Sequence, residues 1–396
     1  MIRSAHIMML TAAALLCFGL LMVQSAGMYV GATDIQTTAD VTTSWTNYLS
    51  KFLTSSTALH AALAILAMLF ASRINVRQFF TSRGLTNPLP YLILIAFALV
   101  ILTQVPGIGR EVNASKRWLA IGTFTFQPSE IVKWVMILAI AYWCARKRGI
   151  MHRFLPGLFP PIILIAIACG LIVIEDLGTA ALIGLVSFCL LYAGGARIYQ
   201  LILLAVPALA AVYYFITSSS YRMDRITAFL DPWADPQGTG FHPIQSMTAI
   251  AEGGLFGKGL GNGVRKLGYL PEDTTDFIYA IICEELGIFG AIAIIVLFTV
   301  LLFTGLGIIR ETRDTFGRLV ALGFILTITI QALINVAVVT VVIPTKGIAL
   351  PLVSKGGTGW ILTAFAIGLV ASLDNAHHLE ASPIDSPLES PQLSTA

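Results

Sequence analysis

Charge is the scarcest property of this chain. Lys, Arg, Asp and Glu together supply 11% of its 396 residues, whereas apolar residues supply 57% and the mean hydropathy is +0.84. Soluble domains carry about 25% charged residues, so that class is excluded, and a net charge of +3 leaves no basic surface for nucleic acid. Cysteine is also sparse. Cys17, Cys144, Cys169, Cys189 and Cys283 all fall in or beside apolar runs, and none forms a CxxC, which excludes a disulfide framework and a zinc site. No ten-residue alternation of apolar and polar positions is visible, so the runs do not read as strands of a membrane barrel. No internal repeat is visible.

What is present is a series of apolar runs long enough to cross a hydrocarbon core of about 30 Å as helices. Ten are expected, centred near Leu15, Ile65, Ile95, Ile137, Ile165, Leu185, Pro207, Ile292, Ile328 and Ala366. The fold class is therefore an all-α integral membrane protein, a polytopic bundle of about ten helices over residues 1–374. Arg3 precedes the first run, but no small-x-small cleavage site closes it, so it reads as a retained helix rather than a signal peptide. Residues 375–396 are polar, contain proline and lack Lys and Arg, and read as a disordered cytoplasmic tail.

Orientation follows from the short connections. Arg73, Arg77 and Arg83, then Arg146, Lys147, Arg148 and Arg153, then Arg197, then Arg310, Arg313 and Arg318 fall on one side, which the positive-inside rule makes cytoplasmic, with both termini. Residues 218–275 then form a large extracytoplasmic loop between the seventh and eighth helices, and a loop of that length in a buried chain calls for a function. It carries Arg222, Arg225, Lys258, Arg265 and Lys266 beside Asp224, Asp231, Asp235 and Asp273, with Asp276 just beyond it; Lys116, Arg117, Lys346 and Lys355 fall on the same side. Cations where the rule expects few point to an anionic ligand, and with carboxylates nearby they suit chemistry on a phosphorylated lipid.

Individual residues admit two readings each. Asp276 stands at the mouth of the eighth helix, where Thr275 or Asp276 caps the helix or Asp276 serves as a general base toward a sugar hydroxyl. Glu130 and Lys133 are three apart and share one face of the fourth helix; they form a structural ion pair, extending to Glu284 or Glu285, or line a polar cavity. Asp176 at the outer end of the fifth helix reads as a cap or interfacial charge. Around Lys258 stand Gly253, Gly254, Gly257, Gly259, Gly261 and Gly263. The spacing fails the nucleotide-phosphate loop pattern, which needs four residues between its glycines and Ser or Thr after the Lys. Either the glycines let backbone approach a lipid pyrophosphate that Lys258, Arg265 and Lys266 neutralise, or they form a flexible re-entrant turn. Trp118 and Trp233 read as interfacial aromatics.

Seven ordered blocks carry a family resemblance: GLLMVQSAGMYV from Gly19, KRWLAIGTFTFQPSEIVKW from Lys116, EDLGTA from Glu175, FLDPWADP from Phe229, IQSMTAIAEGGLFGKGLGNG from Ile244, LPEDTTDFIYAIICEELG from Leu270 and PTKGIALPLVSKGG from Pro344. The chain resembles the SEDS family (shape, elongation, division and sporulation) of polytopic peptidoglycan polymerases, typified by FtsW and RodA. Thr345 and Lys346 before a glycine look more like the division branch. The pattern is broken at Thr274, where the family usually has His, at Lys355, where it usually has Tyr, and at Ile174 and Glu175, where it usually has Gln-Pro.

The resemblance implies a glycosyltransferase that polymerises lipid II, with Asp276 as its essential carboxylate and Glu130, Lys133, Asp176, Arg117, Lys258, Arg265, Lys266, Lys346 and Ser354 as substrate-binding candidates. It also implies a bacterial cytoplasmic-membrane location and a class B penicillin-binding transpeptidase as partner, with other division proteins nearby. The leaving group carries its own activation, so no cofactor is required; a divalent cation is compatible with the chemistry, but no ligand cluster demands one. A lipid II flippase is the rival expectation, and a RodA-like role in elongation is the rival within the family.

Overall fold

A computed structural model describes residues 3–27, 55–76, 86–106, 109–112, 115–121, 124–268, 270 and 272–381. Twelve helices are labelled here in chain order: α1 (Ser4–Ala26), α2 (Ser56–Ala71), α3 (Leu89–Thr103), α4 (Pro128–Arg146), α5 (Phe159–Val173), α6 (Leu177–Ala193), α7 (Ile198–Thr217), α8 (Ser220–Leu230), α9 (Phe241–Gly253), α10 (Ile278–Glu311), α11 (Thr315–Val339) and α12 (Gly357–Ala381). Each of the ten expected centres falls inside one of these helices. Among the described residues, seven segments are long and apolar enough to cross a membrane, and α2, α3 and α6 are shorter, at 16, 15 and 17 residues. The protein is a multi-pass membrane protein.

Burial separates a central from a peripheral helix. Residues 132–141 of α4 are buried on every face, with Trp134 set edge-on to Phe324 of α11 at 5.3 Å; α7 buries only Gln200 and Leu201, leaving its apolar side chains for lipid. Small residues allow close crossings. A Cβ on Gly368 of α12 would strike the Met68 carbonyl of α2, and one on Gly19 of α1 would strike the backbone of Val353.

Three features depart from the sequence expectations. A small antiparallel sheet, β1 (Gly109–Val112), β2 (Ser115–Ile121) and β3 (Phe124–Phe126), lies between α3 and α4; its strands are too short for periodicity to reveal. The expected loop 218–275 holds two helices, α8 and α9. The final helix continues to Ala381, past the boundary expected at 374, because its hydrogen-bonded ladder does not stop where composition turns polar. Residues 382–396, like Arg77 and Arg83, lie outside the described residues.

The 34 residues of α10 are two helices joined at Gly287, whose φ of 64° and ψ of −157° break the ladder. The break leaves carbonyls and an N–H without helical partners, and backbone polar groups at such a depth need others. The glycine-rich segment after α9 provides them: Lys258 N donates to Glu284 O (3.0 Å), Gly259 N to Glu285 O (2.9 Å), and Ile288 N donates to Gly254 O (3.0 Å). Gly257 and Gly287 meet back to back, and a Cβ on either would collide with the other's backbone.

Candidate functional site

A cleft of about 640 Å³ opens at one end of the bundle, among β2, the amino-terminal ends of α4, α6 and α12, helix α8, the turn before α10 and the segment 343–359. The connection 146–153 and the turn before α11 sit together at the other end, where an Arg148 guanidinium nitrogen donates to Thr315 Oγ1 (3.1 Å).

Asp276 lies on the cleft wall, one residue before Phe277, which occupies the N-cap position of α10 without making a side-chain cap. Neither Thr275 nor Asp276 caps that helix. The Asp276 carboxylate has no hydrogen-bond or ion-pair partner among the described residues. Burial, reinforced by the negative charge of Glu272 and more weakly of Asp176, pushes its pKa up to about 7 against the opposing pull of Arg225 and Arg117. A base with that pKa is poised to exchange a proton near neutrality. Gly347 permits the neighbouring segment to pass close by: a Cβ there would stand 3.0 Å from Asp276 Oδ2.

The cations around Asp276 differ in what already holds them. Arg222 donates to the carbonyls of Phe215, Val173 and Ile174 and so ties α8 to the ends of α5 and α7. Arg225 donates to Thr345 O (3.1 Å) and to the Tyr221 hydroxyl, over whose ring it lies. Lys346 lines the cleft beside them with its ammonium unpaired among the described residues, and burial lowers its pKa, with Asp176 opposing and Arg225 reinforcing the shift. Arg117 and Lys355 complete the basic rim.

Deeper in the cleft, Lys133 is 2% exposed and donates to Glu130 Oε2 (2.8 Å) and Gln331 Oε1 (2.9 Å), with its ammonium 5.1 Å from the Trp134 ring. The expected pair therefore forms and faces the cavity, but its extension to Glu284 or Glu285 does not. Asp176 caps α6, accepting from Thr179 N (3.0 Å) and Thr179 Oγ1 (2.8 Å), and also from Gln127 Nε2 (3.3 Å). Trp118 lines the cleft, while Trp233 is 66% exposed on the turn Pro232–Ala234.

Seven expected site residues thus converge on one cavity: Asp276, Glu130, Lys133, Asp176, Arg117, Lys346 and Ser354. The Ser354 hydroxyl is already engaged with backbone, donating to Thr275 O (2.6 Å) and accepting from Leu350 N (2.7 Å). Lys258, Arg265 and Lys266 are not in the cleft. Lys258 bridges Glu252 (2.5 Å) and Glu284 (2.9 Å), Arg265 pairs with Glu252 and Gln245, and Lys266, 3% exposed, pairs with Glu285 (2.8 Å) and donates to Ser25 O (2.9 Å). These cations neutralise carboxylates at the break in α10, and the surrounding glycines let the loop approach that helix.

Sequence reasoning counted Arg225 only among the loop cations and passed over Gln331 and Asn335. These two stand four apart in a largely apolar span, and polar side chains at that spacing in a membrane helix are the signal that marks them. Thr274 and Lys355, the departures from the family pattern, meet in space: Lys355 N donates to Thr274 O (2.8 Å). Among the described residues no group of three or more His, Cys, Asp or Glu is arranged to hold a metal ion.

A multi-pass helical framework with an unpartnered carboxylate and a basic rim at one end defines a polytopic membrane protein with a cleft suited to an anionic ligand. The model of the FtsW, RodA and SpoVE family, described as "Cell cycle protein", matches residues 5–379, and the chain belongs to that family. It is 36% identical over 368 residues to the probable peptidoglycan glycosyltransferase FtsW of Geobacter metallireducens, covering 93% of each protein. It is 36% identical over 363 residues to the stage V sporulation protein E of Bacillus subtilis, covering 91% of this chain and 93% of that protein. Among solved structures it superposes on a chain from a peptidoglycan synthase complex (TM-score 0.70, 24% identity, 94% of this chain and 97% of that one) and on the rod shape determining protein RodA of Thermus thermophilus (TM-score 0.62, 20% identity, 94% and 96%). At that identity the solved structures establish the fold.

Proposed function

We propose that the protein is a peptidoglycan glycosyltransferase that polymerises lipid II, the undecaprenyl-pyrophosphate-linked disaccharide pentapeptide, in the septal wall of a dividing bacterium. The observation that carries this reading is Asp276, a carboxylate with no partner, facing a cavity whose rim is cationic. Asp276 takes the proton of the acceptor GlcNAc 4-hydroxyl as that oxygen attacks C1 of the donor MurNAc. The C1–oxygen bond to the pyrophosphate breaks, and undecaprenyl pyrophosphate leaves with the bonding electron pair. Arg117, Arg225 and Lys346 stand where cations aimed at a departing pyrophosphate lower the barrier. The Glu130 and Lys133 pair lines the deeper part of the same cavity, where it meets sugar hydroxyls.

The names of the relatives support both the reaction and the division role. In this reading the protein sits in the cytoplasmic membrane with both termini inside and the cleft outside, works with a class B penicillin-binding transpeptidase that crosslinks the new strand, and needs no nucleotide cofactor. The test is purified protein, with its transpeptidase partner, incubated with labelled lipid II already on the cleft side. Glycan strands are the expected product. Their absence, with the partner's own glycosyltransfer excluded, would favour the flippase reading, since a transporter has no need of a base at Asp276.

A further inference from the structure

Asp276 precedes α10, and its backbone is anchored from outside that helix. Three consecutive carbonyls are each held by a donor distant in sequence: Thr274 O by Lys355 N (2.8 Å), Thr275 O by Ser354 Oγ (2.6 Å) and Asp276 O by Asn335 Nδ2 (2.8 Å). The Asn335 amide also donates to Ile348 O (2.8 Å). An atom between two carbonyl oxygens must be a donor, which fixes the amide orientation on chemical grounds.

Asn335 is 1% exposed, and its Oδ1 has no partner among the described residues. Burying an amide with one atom unsatisfied is unfavourable compared with an apolar side chain of the same shape, so its two donated bonds must matter beyond filling the core. Those bonds join Asp276 to residues 346–348, the segment that carries Lys346 and passes Asp276 at Gly347. One turn below, Gln331 repeats the device, donating to Ala349 O (2.9 Å) while accepting from Lys133.

We propose that Asn335 and Ser354 are positioning residues that fix the Asp276 carboxylate relative to Lys346, so that base and cation meet opposite sides of the reacting bond. The proposal rests on the glycosyltransferase reading of Asp276. In this proposal each acts through the backbone carbonyl that it holds.

The experiment compares wild type, Asn335→Asp and Ser354→Ala in strand formation from labelled lipid II, measuring kcat, KM, the pH profile and the melting temperature. Asp is isosteric with Asn but donates to neither carbonyl when ionised and to only one when protonated, so the bridge between Asp276 and Ile348 is lost. A misplacement of about 1 Å costs on the order of 10²-fold in rate, and one lost hydrogen bond about tenfold. The expected results are therefore a kcat about 10²-fold lower for Asn335→Asp and about tenfold lower for Ser354→Ala, with KM within roughly twofold of wild type. The groups facing Asp276 are Glu272 on its own turn, Arg225 of α8, Asp176 at the cap of α6, Arg117 of β2, and Lys346 and Lys355 of the following segment; Ser354→Ala alters none of them and adds no charge, so its pH profile is the one compared with wild type. Loosening the backbone admits water to the carboxylate, so the acid limb of the profile should also move to lower pH, which a loss of folded protein would not produce.

If Asn335→Asp does not accumulate folded, Ser354→Ala decides the matter. Folded variants that keep kcat within about threefold of wild type, or that raise KM while kcat holds, would overturn the proposal. Absence of strands from wild type would overturn the reading beneath it, and the proposal with it.

Discussion

At the cleft, the Asp276 carboxylate and the Lys346 ammonium have no direct partner among the described residues. At the break in α10, Glu284 accepts from Lys258 (2.9 Å), Val264 N (2.8 Å) and Arg265 N (3.2 Å), and Glu285 from Lys266 (2.8 Å) and Ser25 Oγ (2.5 Å). Both regions combine acids, cations and glycines on neighbouring stretches of chain. The difference lies in pairing. A buried charge that protein groups already satisfy stabilises a shape, whereas one left open is available to a ligand, so the open groups Asp276 and Lys346 mark the cleft as a site and their absence marks the break as a bolt.

The largest effect should come from Asp276→Asn. The amide is nearly isosteric but takes no proton, and general-base removal costs about 10²–10⁴-fold. Strand formation from lipid II should fall by that factor, while the melting temperature holds or rises because an unpaired, half-buried acid has been removed. A variant polymerising near the wild-type rate would erase the functional half of the comparison.

Next is Lys266→Met at the bolt. Removing one partner of a buried ion pair costs about 3–5 kcal/mol, so folded yield and melting temperature should drop sharply. Removing both charges in Lys266→Met with Glu285→Leu should recover most of the loss, since replacing a buried pair by apolar groups is often neutral. Recovery of stability without any defect in rate per folded molecule would mark this region as structural; a rate defect surviving the recovery would reopen it as part of the site.

The pH dependence distinguishes the regions more finely. With the Asp276 pKa raised to about 7 by burial, the basic form is depleted as pH falls through 7, so kcat/KM for lipid II should lose activity on that side and level off above it. Stability runs the opposite way: a raised carboxylate pKa means that the unfolded chain ionises first, so this group erodes stability as pH rises from the ordinary carboxylate range to about 7. An acid limb below pH 5 would show that Asp276 is not the titrating base.

Much of this was legible before the structure. Apolar run length located the helices, and the i, i+3 spacing of Glu130 and Lys133 put both on one face of α4, where they pair. Two things were not. Which cations meet which acids depends on contacts far apart in sequence, as when Lys266 reaches Ser25 and Glu285, and no local spacing encodes that. The break at Gly287 is hidden within an unbroken apolar run, because the partners that compensate it lie on the preceding loop, at Gly254, Lys258 and Gly259. The same glycines therefore fit a ligand-binding turn and a helix plug equally well until the two stretches of backbone are seen together.

The smallest effect should come from Lys258→Gln. Lys258 is 28% exposed and bridges Glu252 to Glu284, but Glu284 keeps the Val264 and Arg265 amide N–H groups after the lysine is gone. A partly exposed pair contributes about 0–1 kcal/mol, so the melting temperature should move by only a few degrees and strand formation should stay within about twofold of wild type. Lys258 was a pyrophosphate candidate by sequence, and a phosphate-binding lysine would instead raise KM for lipid II strongly while leaving the melting temperature in place. A near-silent variant sharpens the line between cleft and bolt; a large rise in KM would move the loop back into the site.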